Sequence, residues 1–238
     1  MPCPWHVAVL IPARDEEELL PRCLRSVLTS VAQLPEPQRS EIIVVSDSST
    51  DRTSKIAVAL LGSRRAVVNA QAGNVGTARR LAAEQVVSRY RGSLKRLWLA
   101  HTDADCMVPP SWLADQLRLA DQGIEAIAGT VNVDGFEEHG PEVAERFRAS
   151  YLIRSDGSHP HVHGANLGVR ADVYVRAGGW GDLSTAEDHD LWKRLLLADA
   201  RMISTASIEV QTSGRRRGRA PHGFAEALAA HNNAELIA

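Results

Sequence analysis

Two aspartates separated by one residue, Asp103 and Asp105, belong to the stretch His101–Asp105, which directly follows the apolar run of residues 97–100. Such a run is typical of a buried strand, and open α/β sheets bind ligands at the carboxyl ends of their strands. Hard divalent cations take oxygen ligands, and Mg²⁺ in particular is usually held by one or two carboxylates together with substrate phosphates. The pair therefore predicts a divalent-cation site at the end of this strand.

Polar residues follow the neighbouring predicted strands in the same way. Residues 12–16 come after the first strand, and Asp47 ends the second. A carboxylate at such a position can accept a hydrogen bond from a base N–H or a ribose hydroxyl, and Arg79 could place its guanidinium near phosphate or base. Plainer interpretations stay open, with Asp47 as a turn former and Arg79 as a solvated helix residue. Together, these turns favour a nucleotide site.

A second acidic pair, Glu187 and Asp188, opens an amphipathic helix. Acidic groups at a helix N-terminus complement its dipole whatever else they do. The functional interpretation is a general base, which needs a carboxylate within hydrogen-bond reach of an attacking hydroxyl. The glycine-rich turn at residues 178–181 comes just before and could bring backbone close to a substrate.

The elements that must position these groups alternate between strand and helix up to about residue 123. Strands are predicted at 6–11, 41–46, 66–68 and 97–100, with helices at about 16–29, 51–61, 73–90 and 109–121. This alternation indicates a Rossmann-like α/β fold, with a mostly parallel central sheet flanked by helices. From about residue 124 the rhythm changes, with strands predicted at 126–133, 163–169 and 202–210 and helices at 141–150 and 187–197.

The composition argues against several classes of protein. Hydrophobic residues make up 44% and charged residues 24%, as in ordinary globular proteins, and the net charge of −2 argues against a nucleic-acid binder. Three cysteines without close spacing predict neither a disulfide framework nor a zinc site, and they favour a reducing cytoplasm. No apolar run approaches the roughly 18 residues of a membrane span, and no signal peptide is recognisable.

Five motifs, taken in order, resemble those of the family 2 glycosyltransferases, which have the GT-A fold. They are residues 11–16, 44–51, 73–80, 103–105 and 187–191, and their spacing spans about residues 6–200. The resemblance implies one GT-A domain over residues 1–238. Its nucleotide-sugar-binding half would cover about 1–123, and its acceptor-binding half, with the C-terminal tail as an extension, about 124–238.

The resemblance also implies a reaction. A sugar would pass from a nucleoside-diphosphate sugar to a hydroxyl acceptor, with inversion, as the acceptor attacks opposite the departing nucleoside diphosphate. Asp105, helped by Asp103, would hold Mn²⁺ or Mg²⁺ as a Lewis acid, and His222 would complete the metal shell. Asp188, beside Glu187, would be the base. The nucleotide-sugar-binding residues would be Pro12, Ala13, Arg14, Glu16, Asp47, Asn74, Arg79, Asp103 and Ala104.

The chain departs from the family pattern at two positions. Ser46-Asp47-Ser48 stands where Asp-Asp-Gly is usual, and Arg80 replaces a common Asn, so the donor base is not assigned. The chain also lacks the Gln-x-x-Arg-Trp motif and the membrane helices of processive polysaccharide synthases. A single transfer to a small or lipid-linked hydroxyl acceptor fits better, in a chain that could form a homodimer.

Several residues are candidates for the acceptor side. The histidines at 159, 161 and 163 alternate, so in an extended segment they share a face and could bind a metal. An acceptor-lining loop that runs from His163 into Gly164 and Asn166 is the favoured interpretation, and surface histidines are the plainer one. Trp180, beside glycines, is a candidate to stack on a sugar.

The arginines between Arg215 and Arg219 allow two interpretations. They could clamp a diphosphate or an anionic acceptor from a closing C-terminal loop, or form a solvated charge run.

Three alternative functions remain at this point. A retaining GT-A enzyme resembling the glucosyl-3-phosphoglycerate synthases would use the arginine cluster to bind an acidic acceptor. A non-catalytic nucleotide-sugar-binding protein is disfavoured by the intact Asp-x-Asp and Glu-Asp pairs. A sugar-phosphate nucleotidyltransferase would need a basic, glycine-rich loop after the first strand, whereas residues 12–18 are acidic.

Overall fold

The computed structural model describes residues 4–63, 66–219 and 223–232. Within them, seven strands form one sheet. In chain order they are β1 (His6–Ala13), β2 (Ser40–Asp47), β3 (Val67–Ala70), β4 (Leu97–His101), β5 (Ala126–Val133), β6 (Leu167–Arg170) and β7 (Met202–Thr212). The helices of the same residues are α1 (Leu20–Ala32), α2 (Thr53–Leu61), α3 (Val75–Val87), α4 (Trp112–Asp121), α5 (Val143–Ser150), α6 (Ala171–Arg176), α7 (Glu187–Leu197) and α8 (Phe224–Ala230).

The strand order is β3-β2-β1-β4-β6-β5-β7, and the first four strands run parallel. β1 lies between β2 on one side and β4 on the other, so the chain changes direction across the sheet at β1. Open α/β sheets bind ligands at such a switch point, outside the carboxyl ends of the strands. The mostly parallel sheet flanked by helices is therefore confirmed, and it brings the ends of β1, β2 and β4 to one edge.

Both faces of the central strands are buried because helices cover each of them. Successive side chains of β1 point to opposite faces. Val9 and Ile11 pack in one apolar cluster with Leu24 of α1, whereas Leu10 packs in another with Ala82 of α3. Burial on two faces explains why these strands are continuous apolar runs rather than alternating ones.

The second half of the sheet is mixed. β6 runs antiparallel to β4 and β5, and β5 pairs in parallel with β7. Gly129 pairs with Thr205 and Thr130 with Glu209, so residues 206–208 bulge out of the ladder. The Asn166 amide donates to the carbonyls of Thr130 (2.8 Å) and Ile208 (2.9 Å), which replaces backbone pairing where the bulge interrupts it.

Three departures from the predicted secondary structure are the largest. The helix predicted from residue 16 begins at Leu20, because the N–H groups of Glu16 and Glu17 are held by Thr53 Oγ1 and Asp51 Oδ2 after β2. The strand predicted at 163–169 begins only at Leu167, after a 3₁₀ turn at Gly164–Asn166. The short helix α6 is not predicted at all.

No helix in the described part of the chain combines the length and the hydrophobicity that a membrane crossing would require.

Candidate functional site

A cleft of about 470 Å³ lies at the carboxyl ends of β1, β2 and β4. Asp105 lines this cleft. So do eight of the nine predicted nucleotide-sugar-binding residues, which are Pro12, Ala13, Arg14, Glu16, Asp47, Asn74, Asp103 and Ala104. The ninth, Arg79, lies behind the wall. Parallel pairing is the reason for this convergence, since it brings strand ends that are far apart in the chain to one edge.

The loops after β1 and β2 are tied to each other. Asp15 Oδ1 accepts the N–H of Thr50 at 2.7 Å, and Asp15 N–H donates to Ser49 Oγ at 3.2 Å. Asp15 and Ser48 both have positive φ, 50° and 52°. Such conformations cost energy for residues other than glycine and are enriched at ligand sites. The two loops thus form one braced wall of the cleft.

Asp47 is buried at the end of β2, and its Oδ1 carries its hydrogen bonds. That oxygen accepts the N–H groups of Ala72 (2.7 Å) and Gly73 (3.3 Å) and the Ser48 hydroxyl (3.0 Å). Within the described residues Oδ2 takes no hydrogen bond, so it is free to accept one from a ligand. Asn74 also lines the cleft, but its side chain caps α3 by accepting Thr77 N–H at 2.8 Å.

Asp103 and Asp105 stand on the cleft floor and differ in exposure. The Asp103 side chain is 34% exposed and that of Asp105 14%. Burial raises the pKa of Asp105 to about 6, although Arg215 opposes the rise, and the nearby Asp103 and Glu16 add to it. A carboxylate that is costly to ionise at this place is one that a bound cation would stabilise.

Oxygen and sulfur atoms of Asp103, Asp105 and Cys106 lie within 4.8 Å of one another. Burial holds the pKa of the Cys106 thiol well above its ordinary value, so the thiol stays protonated. Metals bind the thiolate and not the thiol. The two carboxylates are therefore the groups of this cluster that suit a hard cation.

Arg215 reaches into the cleft from the segment after β7. Its guanidinium lies 3.0 Å from Asp105 Oδ2 and contacts both oxygens of Glu16, at 2.7 and 2.9 Å. Arg219 Nε lies 3.8 Å from Glu16 Oε1, and Arg219 Nη2 donates to the Asp15 carbonyl at 2.8 Å. Glu16, predicted to bind the donor, is thus buried and held by two arginines, and it anchors the C-terminal segment to the loop after β1.

The interpretation of Arg79 as a solvated helix residue is wrong, whereas its place near phosphate or base stays a prediction. Its side chain is 3% exposed and does not line the cleft. It donates to Asp103 Oδ1 at 2.6 Å, to the Gly164 carbonyl at 3.0 Å and to Glu187 Oε1 at 3.3 Å. The arginine therefore lies behind Asp103 and connects it to the start of α7.

Glu187 and Asp188 occupy the first turn of α7, after Ala186 at a φ of 55°. Glu187 is buried, and burial raises its pKa while Arg79 opposes the rise. Asp188 is half-buried, and its Oδ2 accepts Gly164 N–H at 2.9 Å. Its Oδ1 accepts His189 N–H at 2.8 Å. Two backbone donors thus fix the orientation of the Asp188 carboxylate.

On the acceptor side, Asn166 and Trp180 do not play the predicted roles. Asn166 is 2% exposed, and besides its two carbonyl partners it accepts Trp112 Nε1–H at 2.9 Å, which makes it part of the framework. Trp180 is 1% exposed and packs against His101 and under the Arg79 guanidinium, so its ring offers no face to a sugar. The glycines beside Trp180 led to the prediction that its ring stacks on a sugar, but the ring is buried in the hydrophobic core.

The three alternating histidines do share a face, with ring centroids 5.9 and 6.0 Å apart. Tyr151 stacks on His161 at 4.0 Å, and its hydroxyl lies 2.9 Å from His163 Nε2. Burial lowers the pKa of His163 to about 4, so this imidazole is neutral near pH 7. Among the described residues, the histidine nitrogens do not converge into a metal site. His222, the predicted third metal ligand, lies outside the described residues.

The sequence did not single out several cleft residues. They are Thr212, Ser213, Gly218, Gly223, Phe224 and Ala225, at the end of β7 and the start of α8. The position after a predicted strand was a usable signal for Thr212 and Ser213. For Gly218, the arginines around it were a signal, since a closing C-terminal loop was one interpretation of them. For the residues at the start of α8, no sequence pattern placed them in the cleft.

The family model of Glycosyl transferase family 2 matches residues 8–176, more than half of the chain. The chain belongs to glycosyl transferase family 2. The matched range includes the ends of β1, β2 and β4, and therefore the cleft floor with Asp103 and Asp105.

A curated relative of this family 2 chain is the undecaprenyl-phosphate 4-deoxy-4-formamido-L-arabinose transferase of Serratia proteamaculans (strain 568). The two are 26% identical over 161 residues, which cover 68% of this chain and 47% of the relative. The family 2 chain thus spans about half the length of that relative.

Solved structures resemble the family 2 chain over most of its length. S. aureus TarS 1–349 in complex with UDP-GlcNAc has a TM-score of 0.64 at 18% identity, covering 90% of this chain and 60% of that 1–349 chain. The mannosyltransferase PcManGT from Pyrobaculum calidifontis, in complex with GDP-Man and Mn²⁺, has a TM-score of 0.60 at 18% identity, covering 97% and 70%. At these identities the likeness shows the fold, which is GT-A.

The residues of the cleft floor fit a divalent cation of the kind that the fold family implies. Asp103 and Asp105 offer oxygen ligands on the floor of the same cleft. Burial raises the pKa of Asp105, so a positive charge beside it stabilises the ionised form. Two carboxylates leave coordination positions for the phosphates of a ligand and for water, as Mg²⁺ sites usually do.

Proposed function

We propose that this chain transfers a sugar from a nucleoside-diphosphate sugar to a hydroxyl acceptor, in a metal-dependent reaction that inverts the anomeric centre. The observation that carries the proposal is a continuous run of contacts from the cleft floor to α7. Asp103 is bonded to Arg79, Arg79 to the Gly164 carbonyl, and Gly164 N–H to Asp188. A cation-binding carboxylate and a half-exposed candidate base therefore belong to one site.

The donor half of the proposed site is the cleft at the carboxyl ends of β1, β2 and β4, where residues from 1–123 are joined by the C-terminal segment. Asp47 Oδ2 accepts a hydrogen bond from the base or ribose, and Pro12, Ala13 and Arg14 line the same wall. Arg215, already in the cleft, gives a positive partner to the diphosphate. The acceptor half, over residues 124–238, contributes Asp188, Gly164 and His163.

In this proposal Asp103 and Asp105 would hold a Mn²⁺ or Mg²⁺ ion, which would supply positive charge to a departing nucleoside diphosphate. Asp188 takes the proton of the acceptor hydroxyl as that oxygen bonds to the anomeric carbon, and the bond from this carbon to the diphosphate oxygen breaks. Attack from the side opposite the leaving group inverts the configuration.

The acceptor class is proposed as small or lipid-linked. The Serratia relative carries undecaprenyl phosphate in its name, so a polyprenyl carrier belongs in any acceptor panel beside soluble sugars.

Asp188→Asn tests the assignment of the base, with Asp190→Asn as the matched control. Both residues lie in the first turn of α7, but Asp190 is paired with Arg194 at 2.6 Å. Donor turnover with Mn²⁺ should fall about 10²–10⁴-fold in Asp188→Asn, because the acceptor proton has no base, while nucleotide affinity stays the same. Asp190→Asn should stay close to wild type.

The donor for this assay is chosen from UDP-, GDP- and dTDP-sugars. The sugar nucleotide that binds the wild-type protein is the one that raises its melting temperature. Unchanged turnover in Asp188→Asn would show that Asp188 is not the general base. The anomeric configuration of the product, read by NMR, separates inversion from retention.

A further inference from the structure

Arg79 is a buried cation shared by two acids that come from different halves of the molecule. Asp103 follows β4, whereas Glu187 begins α7. The guanidinium uses all three of its nitrogens on Asp103, Gly164 and Glu187, and it lies 5.2 Å from the centroid of the Trp180 ring. A charge this deep is stable only when it is paired and its hydrogen bonds are satisfied, so its three contacts are held together.

Gly164 links the contacts of Arg79 to Asp188. Its carbonyl accepts from Arg79 at 3.0 Å, and its N–H donates to Asp188 Oδ2 at 2.9 Å. A Cβ at position 164 would lie 2.5 Å from Arg79 Nη2 and 2.7 Å from Cζ, so only glycine lets this peptide lie against the guanidinium. The backbone of residue 164 is therefore placed by Arg79, and it places Asp188 in turn.

The N-terminal turn of α3, which carries Arg79, is also fastened to the loop before α7. Thr77 Oγ1 donates to Asp182 Oδ1 at 2.6 Å, and Asn74 Nδ2 donates to the same oxygen. A Cβ on Gly76 would lie 2.4 Å from the Gly181 carbonyl oxygen, so helix and loop approach as closely as a glycine allows. α3 thus contacts the loop before α7 through its first turn and the start of α7 through Arg79.

We infer that Arg79 is a positioning residue, which sets the separation between the cation-binding carboxylate Asp103 and the base Asp188 and does not bind the nucleotide. This inference rests on the proposed function and goes beyond it, because it assigns the alignment of the two half-sites to one buried side chain. Misplacement of reacting groups by about 1 Å can lower turnover about 10²-fold. Binding of the nucleotide alone needs no such alignment.

The experiment compares Arg79→Gln and Arg79→Lys with the control Arg80→Gln. Arg80 is the next residue of α3, 41% exposed and 3.9 Å from Glu84. Calorimetry gives the dissociation constant of UDP, GDP or dTDP with Mn²⁺, and release of the nucleoside diphosphate gives kcat for donor hydrolysis. In Arg79→Gln, kcat should fall about 10²-fold while the dissociation constant changes less than about threefold.

Arg79→Lys should recover part of kcat, because an ammonium group keeps the charge but cannot serve three partners as a planar guanidinium does. Arg80→Gln should match wild type. If Arg79→Gln instead weakens nucleotide binding and leaves kcat unchanged, Arg79 is a nucleotide ligand and the inference is wrong, while the proposed function stands. If wild type binds no nucleoside diphosphate, the proposed function fails first.

Gly164→Ala keeps the inference testable if Arg79→Gln does not fold. It moves the residue 164 peptide off the guanidinium without removing a charge, so it should show the same loss of kcat with unchanged nucleotide affinity. Gly140→Ala is its control, because the nearest atom to a Cβ there is Asn232 Oδ1 at 3.7 Å. Wild-type kcat in Gly164→Ala would overturn the inference.

Discussion

The two halves of this chain, residues 1–123 and 124–238, build their parts of the candidate site in different ways. In the first half, β1, β2 and β4 are parallel neighbours, and the groups at their ends converge because the strands do. In the second half, β6 is antiparallel and β7 is bulged, and the candidate functional groups stand on a 3₁₀ turn and a helix start. Regular strand pairing positions the groups of the first half, whereas individual side-chain contacts position those of the second half.

Asp105→Asn should show the largest effect, since it removes a cation ligand from the regular half. A Lewis acid contributes several kcal/mol to stabilising the leaving group, so Mn²⁺-dependent turnover should fall about 10³-fold. The fold should persist, because Arg215 keeps Glu16 as its partner. Turnover of UDP-, GDP- and dTDP-sugars is the measurement, and Asp115→Asn on α4, paired with Arg118 at 3.4 Å, is the control. Full activity in Asp105→Asn would break the metal assignment.

Asn166→Ala should destabilise the irregular half without a specific effect on chemistry. The variant loses three buried hydrogen bonds, to Trp112, Thr130 and Ile208, and leaves partners unpaired at the bulge. The free energy of unfolding should fall by about 2–4 kcal/mol, measured by urea denaturation. Asn69→Ala on the exposed side of β3 should cost less than about 0.5 kcal/mol. Equal losses at the two positions would mean that Asn166 does not brace the bulge.

Another expected effect is the pH dependence of stability that Asp105 contributes. Its pKa is raised by burial from 3.8 to about 6. Between those values the unfolded chain releases this proton first, so the contribution of Asp105 to stability falls as pH rises from about 4 to about 6. Asp105→Asn should flatten this part of the profile of the free energy of unfolding against pH. Identical slopes in the variant and in wild type would contradict the burial of this carboxylate.

The same carboxyl should make Mn²⁺ affinity depend on pH. Below about pH 6 the ion must displace a proton from Asp105. The dissociation constant of Mn²⁺ should therefore rise about tenfold for each pH unit below that value. Calorimetric titration of the metal alone, without nucleotide, measures this directly.

Prediction from sequence succeeded where a local pattern carries the information. The ends of β1, β2 and β4 were recognised from apolar runs followed by polar turns, and the cleft brings Asp47, Asp103 and Asp105 together as expected. It failed where a residue's role depends on distant partners. The glycine neighbours of Trp180 suggested a ring that stacks on a sugar, although packing against His101 buries it. Arg79 allowed interpretation as a solvated helix residue, although its acidic partners bury it.

The sequence by itself determined the α/β alternation, the strand ends that carry the acids and the family, because hydrophobic periodicity and short motifs are local properties of the chain. Only the tertiary structure decided that Arg215 reaches Glu16 across 199 positions and that Arg79 reaches Glu187 across 108. No periodicity encodes which buried charges will meet. Those pairings arise when packing excludes water and each charge must find a partner within the folded chain.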